Sequence, residues 1–160
     1  ARESGNNPTR LHAALTAVSA AYDAVLIDCP PSLGNLTASG LAAADRALVV
    51  VEPSALGLRG IAAVADVIDD VWDAHNQRLE LTGVIVNKVP AVSGEADRRY
   101  DELTRIVGKR AIWQPTIPQR VIVNQAIGDR RPIHAYGARS SEVSEAFDKL
   151  WAKVRRVVKR

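Results

Sequence analysis

Tyr22-Asp-Ala-Val-Leu-Ile-Asp-Cys-Pro-Pro-Ser-Leu-Gly34 is the stretch whose reading decides the fold of this 160-residue chain. Its apolar run, Ala24 to Ile27, ends on Asp28, and Pro30, Pro31 and Gly34 follow at once. A run this short and this rich in β-branched residues predicts a buried strand. An unpaired buried charge is costly, so a carboxylate at a strand end calls for a role. The two prolines stop the strand and stiffen the turn. Asp28 is therefore expected at the carboxyl edge of a sheet, where open α/β folds place their ligands. A carboxylate held there could bind Mg²⁺, directly or through water, beside a nucleotide phosphate. Asp28 alone equally fits a residue that only caps the following turn.

The flanking sequence extends the pattern outward. Residues 1–9 are polar and turn-rich and read as a linker or disordered lead-in. Arg10 to Ala21 reads as a helix with Leu11, Leu15 and Val18 on one face. Downstream, a short helix is expected over Asn35 to Ala44 and a buried strand over Ala47 to Val51. Ile61, Val64, Ala65, Ile68 and Trp72 recur at helical spacing within Leu58 to Trp72. Leu81 to Val86 reads as a strand that delivers Asn87. A helix over Asp97 to Val107 then leads to a short strand at Ile112 and Trp113. Arg120 to Ile127 is a short helix or turn, and Ser140 to Val158 is the last helix. Strands alternating with helices predict an α/β fold, a parallel sheet covered on both faces in three layers.

The bulk properties fit one soluble domain: 47% of residues are hydrophobic and 24% are charged. The single Cys29 rules out an internal disulfide and reads as a small apolar residue near a strand end. His12, His75 and His134 lack metal-ligand spacing, and no Gly-x-Ser-x-Gly nucleophile elbow is present. The net charge of +3 hides an asymmetry: residues 1–97 carry 6 Lys/Arg against 12 Asp/Glu, and residues 98–160 carry 15 against 6. A basic second part points to a polyanion, or to a solvated Arg-rich surface.

Four segments in this order resemble the ParA/MinD/Soj family of partition and positioning ATPases, over about Arg10 to Val158. Tyr22 to Gly34 is similar to the family's Walker B strand and switch II, and Gly40 to Pro53 to the next helix end and strand. Thr82 to Val89 is similar to the strand that ends in a base-reading Asn. Thr116-Ile-Pro-Gln-Arg120, through Gln125-Ala126 to Pro132-Ile133-His-Ala-Tyr136, is similar to the loop over the adenine and its sequel. The family's Gly-rich phosphate loop ending Gly-Lys-Thr does not occur in this sequence. Nor does its second motif, an Asp-bearing strand end. Both lie upstream of Asp28 in the family. The resemblance thus implies the C-terminal part of a single P-loop NTPase-like domain over residues 10–160. The sheet would then be incomplete because the N-terminal part is absent, and the fragment itself would be inactive as an ATPase.

The resemblance also implies roles. Asp28 would bridge to Mg²⁺ through water, and Pro30, Pro31 and Ser32 would form the switch that senses the γ-phosphate of ATP. Asn87 would hydrogen-bond the adenine edge, since an amide offers a donor and an acceptor matched to a base; as plain sequence it also fits a strand-terminating turn. Ile117 and Pro118 would cover the base, although Pro118 also suits a residue that only shapes a loop. No residue here is assigned to the chemical step. Arg120, Arg130, Arg131 and Arg139, with Arg155, Arg156, Lys159 and Arg160, are the candidates for non-specific DNA. The implied function is chromosome or plasmid partitioning by an ATP-dependent homodimer. A ParB-like stimulating protein is the implied partner, in a cytoplasmic, nucleoid-associated setting.

The last helix carries a rival reading. Val143, Phe147, Leu150, Trp151, Val154, Val157 and Val158 form an apolar stripe beside Lys and Arg, as on an amphipathic helix lying on an anionic membrane in MinD-like proteins. Phe147 and Trp151 are expected in the core instead, which argues against a membrane. A third class, cobyrinic acid a,c-diamide synthase-like ligases, shares the ATPase core. It would need a glutaminase domain, for which no Cys/His pair is present.

Overall fold

The structure is a computed structural model that describes residues 8–158. Most of the expected lead-in, residues 1–7, lies outside the described residues, as do Lys159 and Arg160. In chain order the elements are α1 (Arg10–Ser19), α2 (Asn35–Ala43), β1 (Arg46–Val51), α3 (Ala55–Ala74), β2 (Glu80–Val86), α4 (Gly94–Val107), β3 (Ile112–Trp113), α5 (Val121–Gly128), a 3-10 segment (Ile133–Ser140) and α6 (Ser141–Val158). The chain divides into two compact units, Ala1–Val49 with Arg59–Thr82 and Val50–Leu58 with Gly83–Arg160.

The sheet has the order β1-β2-β3. β2 and β3 run parallel, with Val84 opposite Ile112 and Ile85 opposite Trp113. The Glu80 N–H donates to the Asp45 carbonyl and the Asn87 N–H to the Val51 carbonyl, so β1 is also parallel to β2. Val84, Ile85 and Val86 are successive residues and all buried. A strand buried on alternating sides is covered on both faces, as the α/β reading requires.

In the first unit, Ala42 of α2, Ala47 of β1, Ile68 and Val71 of α3, and Leu79 form the core. Asn76 ends α2. Its side-chain amide donates to the carbonyls of Ala44 (2.7 Å) and Leu41 (3.3 Å), the second of which also accepts the Ala44 N–H.

The strand expected over Ala24 to Ile27 is not formed. Residues 24–30 hold no regular structure, and Val25 and Leu26 are 42% and 71% exposed. An extended segment becomes a strand only when a neighbour takes its N–H and C=O groups. None among the described residues does so, so Asp28 is exposed and does not sit at a sheet edge.

Three helices also turn differently from expectation. α3 buries Ile61, Ile68 and Val71, with Val64 half-buried. Spacings of three and seven hold that face, and Ala65 and Trp72 lie one residue further round, exposed. In α6, Val143, Ala146 and Leu150 are buried, whereas Phe147 and Trp151 are 40% and 45% exposed. Each step of four residues drifts about 40° around a helix, so the series 143, 147, 151 leaves the core face. α1 buries no residue fully, and Val18 is exposed.

In the second unit the Ser93 side chain caps α4 by accepting the Ala96 N–H at 3.1 Å. Gly108, at φ +81°, ends the helix where an L side chain is strained. Leu103 on α4 is fully buried. Gly83 of β2 lies under the Trp113 indole, and Lys153 of α6 sits 5.8 Å from the centre of that ring. A Cβ on Gly83 would stand 2.1 Å from the indole nitrogen. Gly83→Ala is therefore expected to cost about 1–3 kcal/mol by overpacking, read as a lower midpoint in urea unfolding.

Candidate functional site

The centre of the second unit is the carboxyl end of β2. The strand stops at Val86, but its hydrogen-bond ladder continues along the chain. The Ile117 N–H donates to the Val86 carbonyl (2.9 Å), the Val89 N–H to the Ile117 carbonyl (3.0 Å) and the Gln119 N–H to the Val89 carbonyl (2.7 Å). Val89 and Pro118 form a parallel bridge. Residues 86–89 and 117–119 thus lie side by side, which brings Asn87, Ile117 and Pro118 together. On the other side the Asn87 N–H is held by the Val51 carbonyl at 2.8 Å.

The Asn87 side chain is half committed. Its Oδ1 accepts the Lys88 N–H at 2.9 Å, and Lys88 adopts φ +54°. That is a turn role, since Asn favours such local bonds. Its NH₂ makes no hydrogen bond among the described residues and keeps two donors free. Ile117 is buried and Pro118 half-buried, so on this loop Pro118 is the one of the two that presents apolar surface. The Lys88 ammonium pairs with Glu52 at the end of β1.

In the first unit, Asp28, Pro30 and Pro31 lie on an exposed turn. Its anchor is Thr37 of α2. The buried Thr37 hydroxyl donates to the Ser32 carbonyl at 2.6 Å, and the Pro30 carbonyl lies 3.4 Å away. One turn along the same helix, a Cβ on Gly40 would come 2.7 Å from the Cys29 Sγ. Thr37 and Gly40 thus seat α2 on the Asp28 segment. Sequence reading did not single them out; the available signal was a small polar residue and a glycine three apart on one helix face. Burial, and then the Asp28 carboxylate, push the Cys29 thiol above its ordinary pKa, so Cys29 is a poor nucleophile at neutral pH.

The candidate arginines separate into two groups. The Arg120 guanidinium holds Glu142 of α6 through both carboxylate oxygens, each at 2.8 Å, and donates through Nη1 to the Gln119 carbonyl. Arg131 stacks over Tyr136, 5.5 Å from the ring centre. The Tyr136 hydroxyl donates to Asp129 at 2.6 Å, and this bond is the main cause that raises the phenol's pKa; Arg131 and Arg139 oppose it electrostatically. Arg139 donates to the Gln125 side chain at 3.0 Å. Arg131 and Arg139 therefore gather at Tyr136, with the exposed Arg130 next in the chain at φ +52°. Arg120 is not part of that group.

Comparison with known proteins places this geometry. The family model AAA_31, described as an AAA domain, matches residues 2–81. The chromosome partitioning protein ParA of Myxococcus xanthus is 31% identical over 135 residues, 84% of this chain and 47% of that protein. The chain belongs to the ParA/MinD/Soj family. Among solved structures, the ATP complex of Cyanothece McdA(D38A) superposes with a TM-score of 0.76 at 18% identity, over 89% of this chain and 57% of that one. Cobyrinic acid a,c-diamide synthase from Mycobacterium smegmatis, with an ATP analogue and magnesium, gives 0.65 at 28% identity, over 74% and 48%. These neighbours agree with the α/β P-loop NTPase-like fold. The chain spans about half the length of the curated relatives it matches.

For the family's Mg²⁺ the sequence offers Asp28 as the candidate. Among the described residues no group of three His, Cys, Asp or Glu could hold a metal. Asp28 is a lone exposed carboxylate. That suits Mg²⁺, which keeps several waters and binds through one carboxylate plus phosphate oxygens. No helix among the described residues is long and apolar enough to cross a membrane.

Two outcomes test the Asp28 turn. Thr37→Val should cost about 1 kcal/mol and speed backbone hydrogen exchange over residues 32–34, while Thr37→Ser retains the bond. Cys29 alkylation should stay slow at pH 7 and keep rising beyond the pH at which an ordinary thiol levels off, because its thiolate is disfavoured by burial and Asp28.

Proposed function

We propose that this chain supplies the base-binding and polyanion-binding part of a ParA-like partition ATPase. The observation that supports the proposal is the extended ladder at the end of β2, which lays the Asn87 segment alongside Ile117 and Pro118 while the Asn87 NH₂ makes no hydrogen bond among the described residues. In this reading the Asn87 NH₂ donates to a ring nitrogen of adenine, and Ile117 and Pro118 cover the base. Asp28 holds a water of the Mg²⁺ shell, and the ion neutralises phosphate charge when bound. The turn Pro30-Pro31-Ser32, tethered through Thr37, responds to the γ-phosphate. No residue of this chain is assigned to bond cleavage, and the sequence has no Gly-Lys-Thr phosphate loop. The 160 residues alone should therefore show no ATP hydrolysis, and robust turnover by them would overturn the assignment.

The partner proposed is non-specific DNA, bound by an ATP-dependent homodimer in the cytoplasm at the nucleoid and released when a ParB-like protein stimulates hydrolysis. Arg130, Arg131 and Arg139 support it as an exposed cationic group that phosphates can reach. Phosphate contacts carry no sequence information, so all sequences should bind alike. At natural length with ATP, Arg131→Ala or Arg139→Ala should weaken random duplex binding uniformly. Each should also reduce the salt slope by about 1, the change that accompanies one lost phosphate contact. An unchanged slope in both variants removes these arginines from the interface.

One observation favours a second reading. Phe147 and Trp151 are exposed on α6, with the exposed cation Arg155 one turn beyond Trp151 on the same side. Such a helix face suits an anionic membrane surface. Liposome sedimentation decides between the two. If ATP-bound protein pellets with anionic vesicles, ignores DNA and loses the vesicles on Trp151→Ala, the membrane reading replaces the partition reading.

A further inference from the structure

The loop that carries Ile117 and Pro118 is supported unequally on its two sides. Towards β2 it is stitched by three backbone hydrogen bonds. Towards α6 it faces an open groove of about 440 Å³, lined by Val89, Pro90, Pro115 and Pro118 on the loop side and by Glu145 and Lys149 on the helix. Side chains do not fill that space, so packing does not set the distance between loop and helix there. The contact that spans it is the ion pair Arg120–Glu142, both of whose residues also line the groove.

The geometry of the pair is well suited to holding a position. Arg120 follows the loop directly and leads into α5 with extended backbone. Its guanidinium makes the two-point contact with Glu142 and also bonds back to the loop at the Gln119 carbonyl. A bidentate pair fixes direction as well as distance. The Arg120 side chain is 33% exposed and the Glu142 side chain 59%, so water screens the pair on the Glu142 side more than on the Arg120 side. α6 is itself anchored at this end. The buried Ser140 hydroxyl donates to the Ile133 carbonyl at 2.8 Å, with the Gly137 carbonyl 3.1 Å away, and Ser144 donates to the Ser140 oxygen. Glu142 thus projects from a fixed helix start to the loop, and among the described residues no other ion pair or side-chain hydrogen bond joins that loop to α6.

We infer that Glu142 is a positioning residue of the base site: through Arg120 it holds Ile117 and Pro118 at the height at which they cover a base held by Asn87. This rests on the reading of Asn87, Ile117 and Pro118 as that site. It also reassigns Arg120 from DNA to the nucleotide loop. An Arg120→Glu substitution would set two carboxylates face to face and disturb nucleotide binding, so it does not report on DNA contacts.

The test measures ATP and GTP affinity of the natural-length protein by competition with a fluorescent ATP analogue, with thermal melts to confirm folding. Glu142→Ala and the shape-preserving Glu142→Gln should each weaken ATP about 3- to 5-fold, the order a partly exposed ion pair supports. The ATP-to-GTP preference should fall in the same variants. The exchanged pair, Arg120→Glu with Glu142→Arg, should recover most of both. Asn87→Ala is the control for the underlying site. If Asn87→Ala weakens ATP but the Glu142 variants bind ATP and discriminate GTP as the parent does, the inference is wrong while the base site stands. Weakening that the exchanged pair does not recover also overturns it, because Glu142 then acts through the fold at large. If Asn87→Ala leaves ATP affinity unchanged, the base-site reading falls and the inference falls with it.

Discussion

The carboxyl end of β2 is the constraint on which the rest depends. Val84, Ile85 and Val86 are buried in succession, and the strand has a neighbour on each edge. A parallel strand so enclosed cannot slip by one residue without drawing the polar Asn87 into the buried run or moving Gly83 from under the Trp113 indole. Asn87 is therefore delivered to one place. The ladder then runs past the strand end, from Val86 to Gln119, and pulls the Thr116–Arg120 loop alongside. Lys88 absorbs the change of direction at φ +54°. The backbone holds this segment in place, while the Asn87 NH₂ makes no hydrogen bond among the described residues.

The Asp28 turn is held in a different way. It has no sheet neighbour among the described residues, and its order comes from one helix: the Thr37 hydroxyl on the turn's carbonyls and Gly40 against Cys29. One side-chain hydrogen bond contributes about 1 kcal/mol, far less than a strand paired on both edges. A turn tied this lightly can change position at small cost, which suits a segment proposed to respond to a phosphate.

Most of the fold was legible in the sequence because buried strands and amphipathic helices leave strong periodic signals. β3 at Ile112 and Trp113 and the Asn87 strand end lie where the pattern put them. The Ala24 to Ile27 segment was misread because apolar composition reports the tendency to pair, not the presence of a partner. Trp72, Phe147 and Trp151 were misplaced because a series at spacing four drifts off a helix face whose buried axis follows three and seven. Thr37 left only a weak local signal, its spacing of three from Gly40. The Arg120–Glu142 pair left none, because it joins residues 22 positions apart, to which no local pattern corresponds. Asn87 was read in two ways, as base reader and as turn residue. The structure shows the turn bond on Oδ1 and leaves the NH₂ for the other role.

The central claim is that the Asn87 amide reads an adenine. The most direct measurement is the side-chain NH₂ resonance pair of Asn87, assigned in ¹⁵N-labelled protein of natural length by its loss in Asn87→Asp, and followed during titration with ATP and Mg²⁺. The account expects this pair to shift and become protected from exchange as ATP saturates, with a smaller response to GTP. ATP binding that leaves the pair unmoved would contradict it.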